Sequence, residues 1–160
     1  MQRIIDLLGL SSHPEGGFYR ETFRSDTMLT LAPVTRQRSA SAAIYFLLPA
    51  GEFSAFHVLH VADEIWHHYS GDPIEIHTIA PGGDHRVEIL GDDIVEGERP
   101  QIIVPARTLQ AAVTRGTDFA VCGCTTTPGF DFADFEMPTC EELLRRFPRH
   151  EDIIRRLTRT

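Results

Sequence analysis

Lysine is absent from this chain; all 15 of its basic residues are arginine. That excludes Schiff-base chemistry on a lysine amine and any lysine general base, although a codon bias of the source genome would leave the same gap. Cysteine is scarce, with three residues. Cys122 and Cys124 would share one face of a strand and Cys140 falls in a helix-like stretch. With no further soft ligands beside them, they read as buried thiols in a reducing compartment. No apolar run approaches the roughly 20 residues that a membrane helix needs. The opening MQRIIDLLGL mixes charge and bulk at helical spacing and does not read as a secretion signal. Positive charge is outnumbered, giving a formal net charge of −8, which argues against nucleic acid or an anionic membrane as a partner. A Gly-rich phosphate loop, a Gly-x-Ser-x-Gly elbow and a His-Glu-x-x-His pair are all missing. A cytoplasmic protein is expected.

What is present fits one domain over residues 1–160, long enough to bury roughly 70% of its unfolded surface. Ile4, Ile5, Leu7 and Leu8 form the apolar side of a short helix over 2–9, closed by Gly9. His13-Pro14-Glu15-Gly16-Gly17 is a turn cluster, and Phe18 to Phe23 reads as a strand, either a solvated edge or the rim of a binding site. Residues 25–39, interrupted by Pro33, read as a loop or a weak strand pair. Beyond 41 the chain becomes strand-rich: 41–48, 53–59, 64–69, 74–80, 85–90, 101–104, 108–114 and 119–126, with Gly, Pro and Asp clusters between. Short strands at a spacing of about 8–12 residues indicate an all-β sandwich or barrel. Two helices follow, over 139–147 and 150–158, the first opened by a Thr139–Glu142 capping box.

The chemistry concentrates in 51–71, GEFSAFHVLHVADEIWHHYSG, which holds four of the eight histidines and the single tryptophan. At a two-residue period Phe53, Ala55, His57 and Leu59 share one strand face, and Glu64, Trp66 and His68 share one face of the next. If those faces meet in a barrel, two imidazoles, a carboxylate and an indole line one cavity. Buried polar groups of this kind need partners. His60 and His67 fall on the opposite faces. His13, His85 and His150 sit in turn or helix-start contexts with no assigned chemistry, and Asp131 and Asp134 read as turn caps.

The spacing Gly51, His57, Leu59, Glu64, Gly71 resembles the first motif of the cupin superfamily. A weaker second motif runs from Pro105 to Gln110, with Arg107 where cupins usually have glycine. Longer strings (HPEGGFYRETFRS, AIYFLLPAG, DEIWHHYSGDPIEI, CTTTPGFDFADFEM) resemble one small cupin family, the Cupin 5 type, often labelled predicted sugar epimerases. The resemblance implies an antiparallel jelly-roll β-barrel, commonly dimeric, with AIYFLL, Phe18 and Phe23 as interface material. It implies a small polar ligand, a carbohydrate or nucleotide sugar.

Metal-dependent cupins present three histidines and a glutamate, but this chain has Leu59 and Gln110 in two of those places. Neither a hydrocarbon nor a neutral amide suits zinc, iron or copper. The favoured expectation is therefore a metal-independent epimerase or isomerase that needs no cofactor. His57 or His68 would be the base and Glu64 its orienting carboxylate, with Tyr45 a candidate acid or else a rim tyrosine. Trp66, Gln110, Tyr45 and His77 are candidate ligand contacts. The alternatives are a dioxygenase-like cupin holding a divalent metal on His57, Glu64 and His68 (or His77), and a binding module without turnover.

Overall fold

In the computed structural model, which describes residues 1–30 and 37–159, two antiparallel β-sheets pack face to face as a jelly roll. The larger sheet runs β1 (Ser11–Ser12), β2 (Phe18–Arg24), β5 (Ala42–Pro49), β12 (Phe119–Thr127), β7 (Asp63–Gly71), β10 (Gln101–Val104) in spatial order. The smaller runs β13 (Phe135–Glu136), β6 (Phe53–Leu59), β11 (Leu109–Thr114), β8 (Ile74–Ile79), β9 (His85–Leu90). The two sheets keep separate edges instead of closing into one hydrogen-bonded barrel. A short ribbon of β3 (Met28–Thr30) and β4 (Gln37–Ser39) accounts for the weak strand pair expected there, while Pro33 lies outside the described residues.

Alternation along the strands divides the apolar residues into three clusters. Phe46, Leu48, Trp66, Ile74, Ile76, Ile102 and Cys122 fill the space between the sheets. Phe56, Val58, Ile79, Leu109 and Ala111 point the other way from the smaller sheet. They are covered by Leu143, Phe147, Ile154 and Leu157 from α2 (Cys140–Arg146), α3 (Glu151–Arg156) and their flanks. The Thr139 hydroxyl and the Glu142 carboxylate form the reciprocal cap that opens α2. The amphipathic helix α1 (Gln2–Leu8) lays Ile5 over Leu47 and Val121 on the outer face of the larger sheet. Phe18 is half-buried against that third cluster, whereas Phe23 is exposed.

The register of the larger sheet sets out its inward rows. Arg24, Ala42, Thr126 and Glu64 stand opposite one another across four strands, followed by Glu21, Ile44, Cys124 and Trp66, and then by Tyr19, Phe46, Cys122 and His68. The first row, the second as far as Cys124, and Tyr19 of the third bound an open cavity, while Trp66, Phe46 and Cys122 belong to the core. At the turn before β11, Arg107 adopts φ 68 and its N–H donates to the Leu59 carbonyl at 2.7 Å. The left-handed conformation for which cupins place glycine is thus kept by an arginine.

Candidate functional site

The cavity between the sheets has a volume of about 410 Å³, within the roughly 300–1,000 Å³ of small-molecule sites. The larger sheet supplies one wall with Tyr19, Glu21, Arg24, Ile44, Glu64 and Thr126; the smaller sheet supplies His57, Leu59 and Phe135 opposite. His13 and Glu15 enter from the turn before β2, and Phe130 and Phe132 close the far side.

His57 and Glu64 therefore meet in one cavity from opposite walls. His57 is 2% exposed, and its Nδ1–H donates to the Ala55 carbonyl at 2.8 Å. That bond sets the tautomer and leaves the lone pair on Nε2. Burial pushes the imidazole below its usual range against the opposing pull of Glu64. Burial raises the Glu64 carboxyl, with the His57 charge working the other way. One desolvated wall thus favours a neutral imidazole and the other a protonated carboxyl, so the same burial separates their protonation states into a base and an acid.

Trp66 and Gln110 stand behind this pair and do not line the cavity. The Trp66 indole N–H donates to Gln110 Oε1 at 2.9 Å, and the Gln110 amide donates to Glu64 Oε2. His68 shares the inward face of Glu64 but sits two rows further along β7, with Trp66 between them. Its Nε2 lies 3.4 Å from the Asp72 carbonyl. Tyr45 is on the outer face of the larger sheet, edge-on to Tyr69 at 6.1 Å, with the Arg20 guanidinium 5.9 Å from its ring. His77 is on the outer face of the smaller sheet, stacked on His85 and next to Glu75 and Arg156.

These placements also test the donor set for a metal. His68 and His77 are away from the cavity, Leu59 contributes hydrocarbon, and the Gln110 amide is spent between Trp66 and Glu64. Among the described residues no group of three or more His, Cys, Asp or Glu is arranged to hold a metal ion. The residues do not fit a cupin metal centre.

The turn cluster contributes what the sequence reading passed over. Glu15 is buried and accepts from the Ser54 hydroxyl at 2.8 Å. Its Oε2 lies 3.3 Å from His57 Nδ1 and 3.5 Å from His13 Nδ1. Burial raises its pKa to about 8, with Ser54 and the charge of Arg159 opposing. Burial and the neighbouring His57 lower His13 to about 4. At neutral pH these are contacts of mostly uncharged groups. The available signal was the literal string HPEGGFYRE, since no periodicity marks a turn carboxylate as buried. At the mouth, Arg24 is held by three bonds: Nε and Nη2 donate to Glu21 at 3.0 and 2.5 Å and Nη1 to the Phe130 carbonyl at 3.0 Å. The Thr126 hydroxyl lies buried on the wall with no hydrogen-bond partner among the described residues.

A stability prediction follows from Glu15. The folded state binds its proton more tightly than the unfolded state between the ordinary value of 4.5 and about 8. Its contribution to stability therefore declines as pH rises through that window. Glu15→Gln should remove this decline. Urea titrations at pH 5 to 8 should show the variant gaining on wild type by on the order of 1–4 kcal/mol across the window. Parallel curves would show that Glu15 ionises normally in the fold.

Comparison with known proteins agrees with the architecture. A family model described as "Cupin superfamily (DUF985)" matches residues 2–138. Protein SO0799 from Shewanella oneidensis is 39% identical, with 99% of this chain and 96% of that chain covered and a TM-score of 0.90. A hypothetical protein from Leishmania major is 28% identical, covering 99% and 98%, with a TM-score of 0.93. The capsular polysaccharide assembling protein CapF from Staphylococcus aureus is 13% identical over 79% of this chain and 33% of its own, with a TM-score of 0.60, a likeness of fold alone. A comparison with curated proteins gave no match.

Proposed function

The chain belongs to the DUF985 family of the cupin superfamily, and from the cavity its sheets enclose we propose a metal-independent epimerase or isomerase acting next to a carbonyl. The observation that supports this reading is the desolvated pair on opposite walls, His57 with its lone pair on Nε2 and Glu64 with a raised carboxyl pKa. His57 takes the proton from the carbon beside the carbonyl and Glu64 returns one from the other side. Tyr19, on the Glu64 wall, orients a substrate hydroxyl.

The substrate we propose is an uncharged carbonyl sugar rather than a nucleotide sugar. Among the described residues the lining carries four carboxyl groups, Glu15, Glu21, Glu64 and Asp131, and one arginine, Arg24, each of whose three nitrogens already donates to Glu21 or to the Phe130 carbonyl. A phosphate brought here would have to compete with the Glu21 carboxylate for that one cation. The test is solvent exchange in D₂O, read by proton NMR at the carbon beside the carbonyl. Wild type should accelerate exchange in D-fructose, D-tagatose or L-ribulose over buffer, and not in fructose 6-phosphate or UDP-glucose. Binding of the free sugars without exchange would favour a module without turnover, and exchange confined to the phosphorylated compounds would overturn the substrate class.

A second copy of the chain is the partner proposed for the part of the larger sheet's outer face that α1 leaves open. Phe23, Ala43, Thr125, Ile65 and Ile103 form one outward row across five strands, with Phe23 and Ile103 more than half exposed and Tyr69 beside them. This face is self-complementary in the apolar sense that a two-fold interface needs. Light scattering should return the mass of two chains, and Ile103→Lys should return one; a wild-type monomer at all concentrations would end the idea.

A further inference from the structure

The family match ends at residue 138, yet the segment beyond it returns to the turn that carries His13 and Glu15. After α3 the chain runs beside β6, where the Phe56 N–H donates to the Leu157 carbonyl at 2.8 Å. Two residues later Arg159 bridges the turn and the start of β6. Its Nε donates to the Glu15 carbonyl at 3.0 Å and its Nη2 to the Phe53 carbonyl at 3.1 Å. The guanidinium lies 4.9 Å from the Phe53 ring. The Glu15 carbonyl also accepts from the Ala55 N–H at 2.8 Å, so the turn is pinned to β6 from both sides.

Gly16 makes this approach possible. It holds φ +122, and a Cβ there would collide with the Phe53 carbonyl and the Arg159 guanidinium. An ordinary side chain at Gly16 would be strained and would block the arginine. The pinned turn is the one that carries His13 and Glu15, and its carboxyl lies against His57 Nδ1 and the Ser54 hydroxyl.

We propose that Arg159 is a positioning residue for the candidate site. It straps the His13–Glu15 turn onto β6, so the contact between Glu15 and His57 depends on the segment after α3 being docked. The inference rests on the reading that this cavity is the functional site, but not on any turnover. Packing of α2 and α3 on the smaller sheet is a separate matter, handled by Leu143, Phe147, Ile154 and Leu157. Arg159 itself is exposed and adds little to that core.

The test uses the full chain with Arg159→Gln and Arg159→Lys. Glu15 is followed by carbon-13 carboxyl NMR, and His13 and His57 by imidazole nitrogen-15 NMR. In Arg159→Gln the fold should persist, the Glu15 midpoint should rise by about 0.5–1 pH unit with loss of the nearby cation, and the His57 and His13 signals should shift or broaden. Arg159→Lys keeps the charge without the two-carbonyl fork, so it should restore the Glu15 midpoint but leave the imidazole signals altered. Unchanged Glu15, His13 and His57 signals in a folded Arg159→Gln protein would overturn the proposal. So would an Arg159→Lys protein in which nothing differs from wild type. If Arg159→Gln fails to fold, the lysine variant decides alone. Altered NMR signals in a protein that exchanges no sugar would retain the strap and reject the proposed reaction.

Discussion

His57→Gln should slow solvent deuterium exchange into a bound carbonyl sugar by roughly 10²–10⁴-fold, the range for loss of a general base. Glutamine preserves much of the volume and can still donate to the Ala55 carbonyl, so the loss should be in turnover more than in binding. The pH profile adds a second reading of the same pair. Only neutral His57 is a base, and burial places its pKa below the usual imidazole range, so the acid limb should fall below that range. Only protonated Glu64 is an acid, and burial raises it above the usual carboxylate range, so the rate should fall again as the pH rises through that raised value. The profile is a bell whose two limbs belong to groups on opposite sheets. Glu64→Gln keeps the size and one oxygen acceptor, with an amide nitrogen in place of the other oxygen, and holds no acidic proton to transfer. It should lower the rate by a similar factor and abolish the alkaline limb, leaving the acid one. A His57→Gln enzyme with wild-type exchange, or a Glu64→Gln enzyme that keeps both limbs, would remove the pair from the mechanism.

The half of this site that was legible came from strand alternation. A two-residue period put His57 and Leu59 on one inward face and Glu64, Trp66 and His68 on another, and the two sheets do face each other. Period fixes the face but not the depth. His68 shares the face of Glu64 and still ends two rows away, because Trp66 fills the intervening space. Tyr45 shows a different limit. Both faces of β5 are largely buried, one by the inter-sheet core and the other by α1 over Leu47, so composition along 42–49 does not reveal which side is in. A tyrosine does reach the cavity from this sheet, but it is Tyr19 on the neighbouring β2. Glu15 was beyond reach for a third reason. A carboxylate in a Gly-rich turn reads as solvated, and its burial depends on Ser54, His57 and an arginine 144 positions along the chain. Arg107 held the opposite lesson: the resemblance called for glycine, and the backbone there does take a positive φ despite the substitution.

Trp66→Ala should destabilise the fold by about 3–5 kcal/mol, the usual cost of emptying a large buried aromatic site. The indole is 2% exposed and stands edge-on to Phe46 at 5.6 Å in the inter-sheet core. Its removal also strands a polar group, since Gln110 Oε1 has the indole N–H as its donor. Trp66→Phe separates these two effects. Phenylalanine keeps most of the packing but not the N–H, so the stability loss should drop to roughly 1–3 kcal/mol, that of one unsatisfied buried acceptor. The more telling result concerns Glu64. The indole N–H fixes which end of the Gln110 amide faces it, and thereby presents the amide N–H₂ to the carboxylate. Without it the amide can turn over and face Glu64 with its oxygen. The Gln110 bond is one of the influences holding the Glu64 pKa down against burial, so in Trp66→Phe that pKa should rise further. The alkaline limb of the exchange profile should then move to higher pH while the acid limb of His57 stays in place. Urea denaturation gives the first quantity and the exchange profile the second. An alkaline limb that does not move in a folded Trp66→Phe protein would show that the indole only fills space behind the site.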